Sequence, residues 1–298
     1  MKLILLLLSI LNIVIAKDYT IGFSQDTLAN DWRAAQVQEV KNEVMKYDNL
    51  NLIVKDAKAK VSQQIRDIEE FINANVDFII ASPKDAKITS LVLKKAIKKG
   101  IKVILISRTI TTDDYTTFIA PNNYNIGQDA AKVLIENMNY KGTILMLQGV
   151  KGASSTQQRG DGFISIIKKY PNIQLITKRA NYLRNDAIKV MEDIYKKNIK
   201  FDAIYSHSDS MLIGAREVMK RLNKDIKSIP SVSIDYIKET RKAILDGDQL
   251  GSFIYPTSGK EGIQAIVDII DGKKVEKNVI LDTILITKDN AKTITPIF

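Results

Sequence analysis

The stretch IGFSQDTLANDWRAA, residues 21–35, is the one around which the rest of the chain is organised. Ile21 and Phe23 are apolar in a β-favouring run, and Asn30 can cap a helix that begins at Trp32. In open α/β sheets, small ligands bind at the carboxyl ends of the strands. The polar and aromatic side chains that this first corner offers there are Gln25, Asp26, Asn30, Trp32 and Arg33. Two interpretations stay open: a ligand-binding corner, or an ordinary loop with a core tryptophan.

The same strand-to-helix pattern repeats along the chain. Strand-like runs lie at 19–23, 50–55, 78–81, 103–107, 143–148, 173–177, 203–206, 231–234 and 251–254. Amphipathic helices lie between them at 32–46, 62–73, 88–99, 126–138, 160–169, 187–196, 211–221 and 259–271. This alternation predicts parallel sheets with helices on both faces.

A polar, turn-rich segment at 109–125 divides this series into two sheets. A last β run at 279–287 indicates that the chain returns to the first lobe and then crosses again to the second. We therefore predict an α/β protein with two Rossmann-like parallel-sheet lobes joined by a multi-strand hinge. The predicted lobes are 17–121 plus 254–281 and 122–253 plus 282–298.

The first sixteen residues, MKLILLLLSILNIVIA, have the pattern of a secretory signal peptide. A retained membrane anchor is the alternative, but the apolar run is shorter than the ~20 residues that a membrane-spanning helix needs. The chain has no cysteine to which a lipid could be attached. We expect cleavage near Ala16 and export of the chain to the periplasm.

The composition excludes several kinds of chemistry. With no cysteine and one histidine, His207, the chain has no thiolate nucleophile, His-based triad or multi-His metal site. We predict no metal or cofactor and no enzymatic activity, and we expect His207 to be a packing or pocket-rim residue. The lysines behind the net charge of +10 lie in scattered pairs near predicted helix ends, where cations favour the helix dipole. A nucleic-acid partner is therefore not expected.

If two lobes face each other, the residues that follow each strand converge on one cleft. The later corners carry polar and aromatic residues, namely Ser107, Arg108, Ser154, Ser155, Arg159, Asn181, Tyr182, Arg184, His207, Ser208, Asp209, Asp235, Tyr236 and Tyr255. This mixture suits a hydroxyl-rich ligand, because aromatic faces stack on its ring while carboxylates and forked donors bind its hydroxyls.

Five segments, taken in order, resemble the periplasmic pentose- and hexose-binding proteins of sugar ABC transporters, of the ribose-binding type. They are GFSQ with NDWRAA at 22–35, LISRTI at 105–110, LQGVKGASSTQQRGDGF at 147–163, SHSDSMLIGA at 206–215 and SIDYIKE at 233–239. The first segment is most similar to galactofuranose-binding proteins. The resemblance covers the mature chain and implies the type I periplasmic binding protein fold.

The resemblance also implies a function and partners. The protein would close on a sugar ligand, as a monomer, and present the closed form to an ABC transporter permease. In some relatives a chemoreceptor or a sensor histidine kinase recognises the closed form instead, so a sensing role is the alternative.

Several residues match the family's ligand-binding positions. Trp32 and Arg33 match the stacking and hydrogen-bonding residues of the galactofuranose-binding type. Arg108 and Arg159 match arginines of the first and second lobes. Asp235 matches a later carboxylate, and Tyr182 stands where ribose-binding proteins place an aromatic ring. The further candidates are Gln25, Asn30, Ser107, Ser208 and Tyr255.

Two positions depart from the family pattern. Ser107 replaces the aspartate of an Asp-Arg pair, and Ser208 replaces the usual asparagine of an Asn-Asp corner. The lost carboxylate leaves surplus positive charge, so an anionic ligand is one interpretation. The other is that a neighbour such as Asp26, or a water molecule, fills the gap.

Overall fold

The structure is a computed structural model, and it describes residues 17–298. The predicted signal peptide lies outside the described residues. Between Lys17 and Phe298, no helix is both long enough and apolar enough to cross a membrane.

Strands and helices alternate along the described chain, as predicted. The strands are β1 Tyr19–Gln25, β2 Leu50–Asp56, β3 Phe78–Ala81, β4 Lys102–Ile106, β5 Thr117–Pro121, β6 Gly142–Gln148, β7 Ile173–Arg179, β8 Ala203–Ser206, β9 Ser231–Asp235, β10 Gly251–Ile254, β11 Asn278–Leu281 and β12 Leu285–Ile286. The helices are α1 Asp31–Val44, α2 Val61–Asn73, α3 Ala86–Lys98, α4 Asn123–Asn137, α5 Ser154–Ile167, α6 Arg184–Lys196, α7 Asp209–Arg221, α8 Lys238–Asp246 and α9 Gly259–Ile270.

The first sheet has the strand order β11-β5-β4-β3-β1-β2, with parallel pairing throughout. All four residues of β3 are buried, as expected for a strand that helices cover on both faces. Helices α1 and α9 share one apolar cluster with this sheet, and α2 and α3 share another. The carboxyl ends of β1, β3 and β4 therefore meet at one edge.

The second sheet repeats this plan in the order β12-β10-β9-β8-β6-β7. Its pairs are parallel except that of β10 with β12, which is antiparallel. Helices α4 and α5 pack in one apolar cluster of this lobe, and α6 and α7 pack in the other. The predicted fold class, two parallel-sheet α/β lobes, is confirmed.

The structure corrects the sequence prediction at three places. The segment 109–125, predicted as a polar break, contains β5, whose five residues are followed by turn-forming residues that hide it. Helix α8 was not predicted, because its sequence KETRKAILD buries only Thr240, Ala243 and Ile244. The run at 279–287 is two strands: β11 belongs to the first sheet and β12 to the second.

The chain thus passes between the sheets after β5, after β10 and after β11. The exact lobe boundaries stay a prediction, but one strand extends past its predicted limit. Ile254, assigned to the first lobe from the sequence, pairs with Asp235 in the second sheet.

Candidate functional site

A cavity of ≈ 30 Å³ lies between the two lobes, where the carboxyl ends of the strands face each other. Its lining residues are Asn30, Trp32, Arg33, Ser107, Ser155, Arg159, Tyr182, Ser208, Asp235 and Tyr255. Nine of these are predicted site residues, and the tenth, Ser155, is one of the polar corner residues named from the sequence. The other two candidates, Gln25 and Arg108, lie behind the cavity wall and do not line it.

A second, larger groove contains none of these residues. It has a volume of ≈ 830 Å³ and lies between the C-terminal ends of α6 and α7. Its charged lining residues include Lys196, Lys200, Arg221 and Lys224. The groove is remote from the strand-end corners, so we place the candidate site in the smaller cavity between the lobes.

The first corner connects the two lobes through Asn30 and Trp32. The Asn30 Oδ1 atom accepts a hydrogen bond from the Arg33 backbone N–H at 3.1 Å, which caps α1. The Asn30 side-chain amide donates across the cleft to the Tyr182 carbonyl at 2.7 Å. The Trp32 indole N–H donates to the Tyr255 carbonyl at 3.1 Å, and the indole packs against the second-lobe core. Trp32 is therefore at once a cavity-lining and a core residue.

Asp26 forms ion pairs with two arginines behind the first-lobe wall. One carboxylate oxygen lies 2.7 Å from an Arg108 terminal nitrogen, and the other lies 3.3 Å from Arg33 Nε. Burial raises the pKa of Asp26, but the charges of Arg108 and Arg33 outweigh it and hold the pKa below its usual value. Asp26 therefore compensates for the carboxylate that position 107 lacks.

Arg33 is the cation that this cluster presents to the cavity. One terminal nitrogen donates to Ser82 Oγ at 2.7 Å, to Ser107 Oγ at 2.9 Å and to Gln36 Oε1 at 3.0 Å. Burial, followed by repulsion from Arg108, lowers the pKa of Arg33 to about 10. The guanidinium therefore stays charged at neutral pH and is held in one orientation.

The two candidates behind the wall support this arrangement. Arg108 is fully buried, and its guanidinium carbon lies 5.4 Å from the centre of the Tyr182 ring. The Gln25 side-chain amide donates to Gln36 Oε1 at 2.9 Å. Neither side chain lines the cavity: Arg108 lies over Tyr182, which does, and Gln25 contacts Gln36, which holds Arg33. Their ligand contacts stay a prediction.

In the second lobe, Arg159 is held by the segment that joins the lobes. Its Nε donates to Asn123 Oδ1 at 2.8 Å, and a terminal nitrogen donates to the His207 carbonyl. The guanidinium carbon lies 4.5 Å from the centre of the Tyr255 ring, a cation–π distance. Tyr255 in turn donates its hydroxyl to the Ser107 carbonyl of the first lobe at 3.1 Å.

Tyr182 fills the space between the arginines of the two lobes. Its hydroxyl lies within hydrogen-bond distance of Ser155 Oγ at 3.2 Å and accepts from Thr156 at 2.9 Å. A Cβ atom on Gly149 would collide with the Tyr182 ring, so that position requires glycine.

Asp235 places a buried carboxylate on the cavity wall, with 5% of the residue exposed. Burial raises the pKa of Asp235 well above its usual value, and the nearby Asp209 adds to this, while Arg159 opposes it. Asp209 itself is bonded to Ser252 Oγ at 2.8 Å and to the Ile237 N–H at 2.9 Å. Asp235 is therefore the acid of this corner that faces the cavity.

Three of the lining residues have left-handed or otherwise unusual backbone conformations. The φ angles are 60° at Ser107, 63° at Tyr182 and 130° at Asp235. Such conformations cost of order 1–3 kcal/mol each outside glycine and cluster at functional sites. These strained residues lie at or just after the ends of three different strands and line the same cavity.

His207 lies in the second-lobe interior and is absent from the cavity lining. Burial, together with the charges of Arg159 and Arg179, lowers its pKa well below the usual value. His207 is therefore neutral at physiological pH and acts as a packing residue.

Three residues of the surrounding network were missed in the sequence. Gln36 lies one helical turn after Arg33, on the same face of α1, which is a signal that spacing could have given. Ser82 follows β3 and could have been found as one more strand-end residue. Asn123 begins α4 in the segment predicted as a break, and its contact with Arg159 had no sequence signal.

Comparisons with known proteins show the family to which the chain belongs. A family model described as a periplasmic binding protein domain matches residues 21–274. The ribose import binding protein RbsB of Bacillus subtilis is 30% identical over 266 residues, which are 88% of this chain and 85% of that protein. The galactofuranose-binding protein YtfQ of Escherichia coli is 32% identical over 294 residues, which are 94% of this chain and 92% of that protein.

A solved structure extends the likeness to three dimensions. The fructose-binding periplasmic domain of a hybrid two-component system superposes with a TM-score of 0.86 and is 30% identical, covering 92% of each chain. The family match, the two-lobed fold and the cleft between the lobes agree, and the chain belongs to the periplasmic binding protein family, as a type I member of its sugar-binding group.

Proposed function

We propose that this protein binds a sugar-like ligand between its lobes and delivers it to an ABC transporter permease. The observation that carries the proposal is the cavity itself, to which both lobes contribute charged, hydroxyl and aromatic side chains. Relatives that are 30% and 32% identical in sequence are binding proteins for ribose and for galactofuranose, respectively. The role consists of binding and closure and needs no cofactor.

Closure follows from the placement of ligand contacts in both lobes. A ligand shifts an open–closed equilibrium only as far as it binds one state better than the other. Arg33 on the first lobe and Asp235 on the second can contact the same small molecule only when the lobes are together. The ligand would therefore stabilise the closed form that a membrane protein recognises.

The individual roles follow from chemistry and position. Trp32, Tyr182 and Tyr255 would pack against the faces of the ring, as aromatic side chains do in sugar sites. The hydroxyl-binding residues would be Asn30, Arg33, Ser107, Arg159, Ser208 and Asp235. Gln25 and Arg108 would support them from behind.

A sensing role is the second candidate. One observation favours it: the chain is 30% identical, over 92% of its length, to the fructose-binding periplasmic domain of a hybrid two-component system. In that case the closed form would be recognised by a sensor histidine kinase or a chemoreceptor. Co-purification of the closed protein with a permease or with a sensor distinguishes the two roles.

The remaining features belong to the same proposal. The chain would be exported, cleaved near Ala16, and act in the periplasm as a monomer, since one ligand between two lobes needs no second copy. The hinge would be the three crossings after β5, β10 and β11, with the predicted lobes 17–121 plus 254–281 and 122–253 plus 282–298.

A thermal-shift screen of the chain from Lys17 onward tests the binding function. The probes are neutral pentoses and hexoses, sugar acids and small anions. A ligand at a hundred times its dissociation constant adds about 2.7 kcal/mol to the free energy of unfolding, which is readily detected. Stabilisation by a sugar supports the proposal. A screen in which no sugar stabilises the protein contradicts it.

Substitution of Asp235 tests the site. We expect Asp235→Ala to weaken sugar binding by about 2–5 kcal/mol, because it removes a buried carboxyl group that lines the cavity. Asp161→Ala is the matched control, since Asp161 is an exposed aspartate of the same lobe. Calorimetric titration gives both affinities, and an equal dissociation constant for the two variants would remove Asp235 from the site.

A further inference from the structure

The cluster of Asp26, Arg33 and Arg108 brings charges from two strand ends together in the protein interior. Asp26 is 1% exposed, and its two oxygens lie 2.7 Å from Arg108 and 3.3 Å from Arg33. Within residues 17–298, Asp26 is the only carboxylate that pairs with either arginine. One carboxylate therefore pairs with two buried guanidiniums.

In this arrangement the residue that compensates the charge is not one that lines the cavity. Asp26 does not line the cavity, whereas Arg33 does. A carboxylate at position 107 would lie on the wall itself, since Ser107 lines the cavity and its Oγ is 2.9 Å from an Arg33 nitrogen. Here the wall carries a hydroxyl, and the compensating charge lies behind it.

We propose that Asp26 sets the charge selectivity of the cleft, by partly neutralising the Arg33–Arg108 pair from behind so that an uncharged polyhydroxyl ligand is preferred over its carboxylate analogue. The inference rests on the proposed function, because it concerns which sugar-like ligand the cleft accepts. Asp26 is a positioning residue, and it acts through the guanidinium of Arg33.

The physical reason is the cost of a buried charge without a partner. Without Asp26, two guanidiniums would lie side by side in the interior, and each would need an anion from solution. The cavity wall at Arg33 is the place where a small anion could pair with them, because a guanidinium binds a carboxylate with two parallel hydrogen bonds. Removing Asp26 should therefore turn this end of the cavity into an anion site.

The test measures anion binding without any sugar, using sodium formate at constant ionic strength. Four proteins are compared by thermal unfolding at pH 7: wild type, Asp26→Asn, Ser107→Asp, and the double variant. Ser107 has a φ of 60°, a conformation that aspartate tolerates better than most residues, so the substitution suits the backbone. We expect Asp26→Asn to respond to formate at concentrations at least ten-fold lower than wild type.

The double variant is the decisive control, because Ser107→Asp restores the lost charge from the neighbouring corner. We expect its formate response to match wild type and that of the Ser107→Asp single variant to be the weakest. If Asp26→Asn does not fold, the comparison of wild type with Ser107→Asp still tests whether an added carboxylate weakens the formate response. Equal formate responses in wild type and the single variants, or no return toward wild type in the double variant, would overturn the proposal. Failure of the sugar screen would instead count against the proposed function alone.

Discussion

Asp235 combines two opposed effects in one side chain. Its carboxylate lines the cavity, where a ligand can use it, but burial and Asp209 raise its pKa in the folded protein. A carboxyl group with a raised folded pKa supports the fold below its unfolded pKa of about 3.9 and loses that support as the pH rises through the folded value. Asp235 therefore lowers the free energy of unfolding at neutral pH.

From this we expect Asp235→Asn to raise the melting temperature of the ligand-free protein at pH 7 while it weakens sugar binding. The gain should shrink as the pH is lowered toward 4, because the folded wild-type carboxyl group is then protonated and the unfolded one becomes increasingly so. Melting curves at pH 4, 5.5 and 7, with Asp161→Asn as control, check this. A stability difference that does not vary with pH would show that the charge of Asp235 is not the cause.

At the scale of elements, the alternation of strands and helices could be predicted because each apolar run carries its own local signal. The strand β5 could not, since it lies within a polar, turn-rich segment and ends in Pro121 before a polar turn. Compensation by Asp26 could be predicted only as one of two alternatives, because it joins residues 82 positions apart and depends on where two corners meet in space. Spacing identified the corner residues but left open which of them face the cavity.

The start of α9 shows how one element is held by another. Helix α9 has no side-chain cap of its own, and Glu39 of α1 accepts hydrogen bonds from the Gly259 N–H at 2.7 Å and the Lys260 N–H at 3.1 Å. It also accepts from the Thr257 hydroxyl. A carboxylate at a helix N-terminus both satisfies free N–H groups and favours the helix dipole.

We therefore expect Glu39→Ala to lower the free energy of unfolding by about 0.5–2 kcal/mol, the range for loss of a helix cap. The matched control is Glu43→Ala, one turn further along α1, which removes an ion pair with the exposed Lys46. Such surface pairs contribute about 0–1 kcal/mol. Urea titrations give both values, and a loss at Glu39 no larger than that at Glu43 would contradict the capping role.

At the scale of the whole molecule, the lobes meet at a rim outside the cavity. The Ala86 N–H of the first lobe donates to the Gly152 carbonyl of the second at 3.0 Å, and the Thr109 N–H donates to Ser154 Oγ at 2.9 Å. A Cβ atom on Gly152 would collide with the Asp85 carboxylate. A larger residue at position 152 would therefore displace the Asp85 carboxylate from the rim.

A pair of glycine variants distinguishes an effect on lobe closure from an effect on the free energy of unfolding. Gly152 and Gly100 have φ angles of +86° and +84°, but a Cβ atom on Gly100 would meet no atom within 4 Å. We expect Gly152→Ala and Gly100→Ala to lower stability by a similar amount, of order 1–3 kcal/mol. Only Gly152→Ala should weaken sugar binding, because it opposes closure. Equal affinities in calorimetric titrations would show that the rim does not take part in closure.

The central claim, that the lobes close on a sugar-like ligand, is tested most directly by a distance across the cleft. The chain has no cysteine, so Lys87→Cys and Lys189→Cys, on exposed positions of α3 and α6, can carry two spin labels at known places. Pulsed electron resonance then gives the distance distribution with and without a sugar that stabilises the protein. We expect saturation to shorten and narrow the distribution. A sugar that binds but leaves it unchanged would contradict the account.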